Sequence, residues 1–228
     1  MNTTKNSPYS ATAYIGEECL TDQDIQNIEL VRARRSLAFL KNKIGNDAMV
    51  TLIEEELNAA TIQTEKWANE SNGEWKSGFV VMEMPGVSAE QFHSWFIGMM
   101  ERNEGSALGV AHPDHYLNRM LPDGRGEVIE NLGEFEYPWH MFLNFTAIDS
   151  TIPVLADKDY PIGFAAIVKS TNGKIIAYAL HELRDHKDGM QAKLAIILPK
   201  AAPDTLIRGH LNHFSIEFRN WYNAMSVK

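Results

Sequence analysis

Asp204-Thr-Leu-Ile-Arg-Gly-His210-Leu-Asn-His213-Phe-Ser-Ile-Glu217-Phe-Arg-Asn-Trp221-Tyr-Asn-Ala-Met225 is the stretch on which the fold turns. Ile207, Leu211, Phe214, Phe218, Trp221, Tyr222 and Met225 recur at helical spacing, so one long amphipathic helix is predicted after Pro199 and Pro203. Just before it lie three apolar, β-rich runs: Tyr160–Lys169, Lys174–Leu183 and Gln191–Leu198. Asn172-Gly173 separates the first two and Asp188-Gly189 the next two, and both pairs are tight hairpin signals. An antiparallel meander closed by a long C-terminal helix follows.

Further upstream, short strands are predicted near Phe79–Met84, Gly126–Leu132 and Trp139–Phe145. A helix is predicted over Ser88–Glu101, with Ser88 as cap and Gln91 as its capping-box partner. Together these elements make an α+β chain, a bent antiparallel sheet around one helix. This helix-grip arrangement leaves a cavity between sheet and helix. The N-terminal third reads differently. Residues 1–20 are polar and loose, Asp22–Ile44 is helical, Gly45-Asn46 interrupts, and a second helix runs from Ala48 to about Lys66. Glu70–Gly78 reads as a linker, which divides the chain into an N-terminal helical region (1–72) and a helix-grip domain (73–228).

Composition narrows the function. The chain has 228 residues, 44% of them hydrophobic, with five Trp, ten Phe and seven Tyr, enough for a real core. A net charge of −9 argues against nucleic acid or anionic membrane as partner. The one basic run, Arg32, Arg34 and Arg35, reads as a solvated helix face. Cys19 has no partner for an intramolecular disulfide. With no apolar leader in Met1–Ser10 and no span of about 20 apolar residues, a cytoplasmic protein is expected.

Four clusters could carry chemistry. His213 and Glu217 stand one helical turn apart, with His210 a turn before, at the border of the apolar stripe. Such a pair can offer a nitrogen and an oxygen to one metal, although it is also common on helix surfaces. The second cluster, His112-Pro113-Asp114-His115-Tyr116-Leu117-Asn118, reads equally as a polar loop. In the third, strand alternation puts Glu130 on one face with Val128 and Leu132, and Glu127 on the other with Ile129. If the first of these faces lines the cavity, Glu130 is a buried acid that needs a partner or a metal; an edge strand would leave it in water. In the fourth, His181 shares a face with Ala177 and Ala179, small neighbours that leave room for a ligand or simply pack a structural histidine.

The ordered set of short motifs resembles the 2,4-diacetylphloroglucinol hydrolase and phloretin hydrolase family, zinc enzymes that cleave a carbon–carbon bond between an acyl group and a phenolic ring. The motifs are Met84-Pro85-Gly86-Val87-Ser88-Ala89-Glu90 with Trp95-Phe96, then Pro113-Asp114-His115-Tyr116 with Asn118, and then Glu130-Asn131-Leu132-Gly133. His181-Glu182-Leu183-Arg184-Asp185 with Gly189-Met190 follows, and His213-x-x-x-Glu217-Phe218 closes the set. The resemblance implies a Bet v 1-like helix-grip fold and a zinc ion held by His115, Glu130, His213 and Glu217. It implies that Asn118 hydrogen-bonds a phenolic hydroxyl and that His181 stands in the substrate cavity. The chain departs from the family at Ile97-Gly98-Met99, where the family has a histidine, and at Ala107-Leu108-Gly109, where it has an arginine-tyrosine pair that reaches substrate.

The implied activity is hydrolysis of a small aromatic ketone to a carboxylate and a deacylated phenol. Two other classes fit the same pattern: a non-catalytic carrier of small aromatic or apolar ligands, and a metal-dependent lyase or cyclase on polyketide-like aromatics. By family analogy the helices over Asp22–Lys66 form a homodimer interface; their amphipathic pattern equally fits packing on the sheet.

Overall fold

The computed structural model describes residues 10–104, 108–109, 111–148 and 151–225. The readings at Met1–Tyr9 and Ala107 lie outside these residues. The chain forms two compact units, Met1–Gly45 and Asn46–Lys228.

In the first unit, β1 (Ala13–Ile15) and β2 (Glu18–Leu20) form a hairpin in a stretch expected to be loose. The Thr21 side chain then accepts from the Asp24 amide, and Asp24 caps back, so a capping box opens α1 (Asp22–Ile44) where helical periodicity begins. Gly45 ends it at φ 76°, a conformation that favours glycine. No residue of α1 is buried.

The second unit begins with α2 (Asn46–Leu52) and α3 (Glu54–Glu70), two helices where one was expected. They pack on the sheet. Leu57 of α3 sits with Leu117 and Ile129, and Trp67 meets Phe135 edge-on at 5.5 Å. The sheet-bearing unit therefore starts at Asn46, earlier than the 72/73 division read from the linker.

Next come β3 (Trp75–Pro85), α4 (Ala89–Glu101), β4 (His115–Met120), β5 (Gly126–Glu130) and β6 (Trp139–Thr146). The series ends with β7 (Ile162–Ser170), β8 (Ile175–His186), β9 (Gly189–Pro199) and α5 (Asp204–Met225). The seven strands β3 to β9 form one antiparallel sheet in the order β3-β9-β8-β7-β6-β5-β4. Both hairpins of the expected meander are present, as is the Ser88–Gln91 capping box. α5 packs against β3 and β9 and meets α4. This is a Bet v 1-like helix-grip fold.

Two parts of the sheet differ from the sequence reading. Trp75–Gly78, read as linker, is the first part of β3 and pairs with Ile196–Pro199. Gly78 belongs there because α5 crosses at that point, and a Cβ on it would collide with Ile207. His115–Met120, read as loop, is β4. Its register slips between His115 and Leu117, so the alternation that signals a strand is broken by one residue.

Candidate metal centre

The slip in β4 builds the site. His115 pairs with Glu130 and Asn118 with Val128, although His115 and Asn118 are three residues apart. In a regular strand they would face opposite sides. With Tyr116 as the extra residue, both face the side on which Val128 and Glu130 look inward. A close approach of two backbones brings the helix to this edge. A Cβ on Gly209 would lie 2.6 Å from the Gly133 Cα, so the loop after β5 abuts α5 only with glycine at that contact. Glu130 thereby comes within reach of His210 and His213.

The four residues implied as ligands converge from β4, β5 and α5. His115 Nε2 lies 3.0 Å from His213 Nε2, 3.1 Å from Glu130 Oε2 and 3.2 Å from Glu217 Oε1. His213 Nε2 is 3.5 Å from Glu130 Oε2. Ligand atoms of His115, Glu130 and His213 all lie within 4.8 Å of one another, and Glu217 joins through His115. A tetrahedral site with bonds of about 2.0–2.2 Å has edges of roughly 3.3 Å, close to these four separations; Glu217 itself stands outside the group of three. All four residues are buried, His115 to 1% exposure. His213 and Glu217 therefore belong to the buried face of α5 rather than its border.

His115 Nδ1 is 3.1 Å from the Leu108 carbonyl oxygen. A carbonyl only accepts, so Nδ1 carries a proton and the neutral ring presents a lone pair at Nε2. That lone pair faces an imidazole nitrogen and two carboxylate oxygens, all of them electron donors. A second-shell carbonyl that fixes the tautomer in this way is a regular companion of histidine ligands.

Charges within the cluster shift its protons. Burial pulls His115 down, but hydrogen bonds and charge from Glu130 and Glu217 override it and push it up to about 10. Burial raises the Glu217 carboxyl. Burial also works on Glu130, but His213 and His115 hold it below the usual carboxylate range. Among the described residues, the ion pairs recorded for Glu130 and Glu217 are all to imidazoles, with no Lys or Arg. A divalent ion fits this donor set: it would balance two carboxylates and displace the His115 proton.

His112, Asp114 and His213 also group closely. There, however, His112 Nδ1 accepts from the Asp114 backbone amide at 3.0 Å, and its ring stacks on His213 at 3.7 Å. It supports His213 from the side. His112 and His210 were visible in the sequence clusters, but alternation and spacing gave them no role. His210 Nε2 stands 3.9 Å from Glu130 Oε1.

Glu130 and Glu217 line a cavity of about 100 Å³ between sheet and α5, whose lining does not include His115 or His213. The polar lining residues are Asn118, Glu130, His181, His210 and Glu217; aliphatic and aromatic side chains supply nearly all the rest. Ala177 and Ala179 flank His181 on the cavity face of β8, as alternation predicted. Burial pushes His181 and His210 down to about 3 and His213 to about 2, so all three rings are neutral. Phe214 meets His181 at 4.8 Å and His210 at 4.3 Å, both edge-on.

No protein-family model and no curated protein matches the chain. Among solved structures it is similar to Ara h 8.0201, at 12% identity and a TM-score of 0.45, over 68% of this chain and 100% of that one. It is also similar to an uncharacterized protein from Rhizobium leguminosarum, at 11% identity and a TM-score of 0.40, over 68% of this chain and 98% of that one. The fold assignment rests on the strand order itself. No helix among the described residues is long and apolar enough to cross a membrane.

Proposed function

We propose that the protein is a zinc-dependent hydrolase that cleaves the bond between an acyl group and a phenolic ring, with the metal held by His115, Glu130, His213 and Glu217. One observation carries this reading: buried His115, its ring oriented by the Leu108 carbonyl at Nδ1, brings Nε2 within 3.2 Å of His213 Nε2, Glu130 Oε2 and Glu217 Oε1. Bound there, zinc would supply a Lewis acid and a water whose pKa is lowered toward about 7.

The chain's own residues supply the rest. The apolar walls exclude water and seat a ring. The Asn118 amide, on the cavity face of β4, can donate to a ring hydroxyl. His181, held neutral by burial, offers one donor and one acceptor to a substrate oxygen. It orients the substrate rather than serving as a cationic acid. A ring that tautomerises to a ketone leaves with its carbon already protonated, so no free aryl carbanion forms. The products are a carboxylate and a deacylated phenol.

The mostly apolar lining favours a second reading, a carrier of small aromatic or apolar ligands. Zinc-loaded protein and 2,4-dihydroxyacetophenone separate the two. A hydrolase releases acetate and resorcinol, and His213→Ala lowers the rate by at least about 100-fold. Binding without turnover, unchanged by chelator, supports the carrier.

A further inference from the structure

The cavity is sorted by polarity along its length. At one end Glu130, His210 and Glu217 are buried to 8% exposure or less. The partly exposed lining is mainly apolar, Met120, Leu143, Phe145 and Phe164, with Asn118 as its polar member and buried His181 5.1 Å from the Phe164 ring. Strand β5 spans the two ends. Glu130 stands at the closed end, and Gly126, opposite Met120, at the open one. Four residues at ~3.3 Å each separate them by about 13 Å.

A second space adjoins the open end. Met100, Met120, Phe145 and Phe164 line both the cavity and an outer cleft of about 410 Å³ between the end of α4 and the β4–β5 turn. Ile97, Leu121 and Pro122 extend the apolar lining, and Glu101 is the charged residue there. A ligand seated with its polar end among the histidines and carboxylates presents only its apolar end to this cleft. Methionine walls adapt to a flexible chain.

We propose that the natural ligand is an amphiphile: an oxygen-bearing aromatic head at the closed end, and an unbranched alkyl or acyl tail that passes Met100, Met120, Phe145 and Phe164 into the outer cleft. The inference rests on the cavity being the ligand site, as in the proposed function, but not on the metal. Leu121 and Ile97 contact only the tail.

The probes are 4-alkylphenols from methyl to octyl, which carry the phenolic oxygen and no acyl group to cleave. Binding is read by tryptophan fluorescence, since Trp221 lines the cavity. In zinc-loaded wild type, Kd should fall about three- to fourfold per added methylene through octyl. Leu121→Glu and Ile97→Glu should each leave 4-methylphenol within about twofold and weaken 4-octylphenol at least about tenfold, with zinc content unchanged. A wild-type series that is flat beyond butyl, or variants that weaken methyl and octyl alike, would overturn the proposal. A steep series in protein that takes up no zinc keeps the tail cleft and removes only the metal reading. Zinc-dependent ketone hydrolysis with a flat series does the reverse.

Discussion

Strand β5 carries two buried glutamates three residues apart, and they meet opposite fates. Glu127 faces outward and is closed by the Arg119 guanidinium, Nε at 2.7 Å, and by His140 Nε2 at 2.8 Å. Burial works against its charge, but these partners hold the carboxyl below its ordinary range. Glu130 faces inward and meets imidazoles, with a second carboxylate beyond them. The residue types are almost the same on both faces. What distinguishes them, among the described residues, is that the inner carboxylates pair with no Lys or Arg, and a metal ion would supply that positive charge.

Removing His115 should break the inner cluster hardest. His115→Ala takes the shared partner from two buried carboxylates, which should cost the metal-free protein about 3–5 kcal/mol. Urea unfolding in chelator measures it; a loss below 1 kcal/mol would mean the two acids are already satisfied elsewhere. Zinc at a thousandfold excess over its Kd should add about 4 kcal/mol to the wild type. Glu127→Gln should keep that gain and Glu130→Gln lose it; equal gains would erase the contrast. Glu127→Gln itself should cost about 1–3 kcal/mol through its stranded partners, read in the same titration.

The smallest expected effect, counted per pH unit, is the dependence on pH. His181, His210 and His213 lie well below the unfolded value near 6.5, so the unfolded chain binds more protons in acid. Metal-free stability should fall as pH drops below about 6.5 toward 3. His115 has the opposite sign. Raised to about 10, its contribution is fully present below 6.5 and is lost as pH rises from there through about 10. A maximum near pH 6.5 in chelator is expected from this pair of trends, and His181→Asn should reduce only the acid slope, by about 1.4 kcal/mol per pH unit. An acid slope unchanged in that variant would show that His181 is not buried neutral.

Much of this was legible before any coordinates. The α5 stripe and the turns at Asn172-Gly173 and Asp188-Gly189 announce helix and meander, because both signals are local. Alternation alone placed Glu130 with Val128 and His181 with Ala177. What stayed hidden depends on partners distant in sequence. β4 is concealed by its register slip, Trp75–Gly78 by the glycine that α5 demands, and the break between α2 and α3 by a continuous apolar period. The Leu108 carbonyl on His115 and the ring of His112 on His213 leave no sequence pattern at all. The proposed ligand set as a whole has no local signal either, and came only from what the family resemblance implies.

Metal analysis of the purified protein is the most direct measurement, with wild type beside Glu130→Gln and Glu127→Gln. A charge-deficient inner cluster predicts about one divalent ion per chain in wild type and in Glu127→Gln, and little in Glu130→Gln. Wild-type protein that takes up no divalent ion, or equal metal in all three proteins, would contradict it.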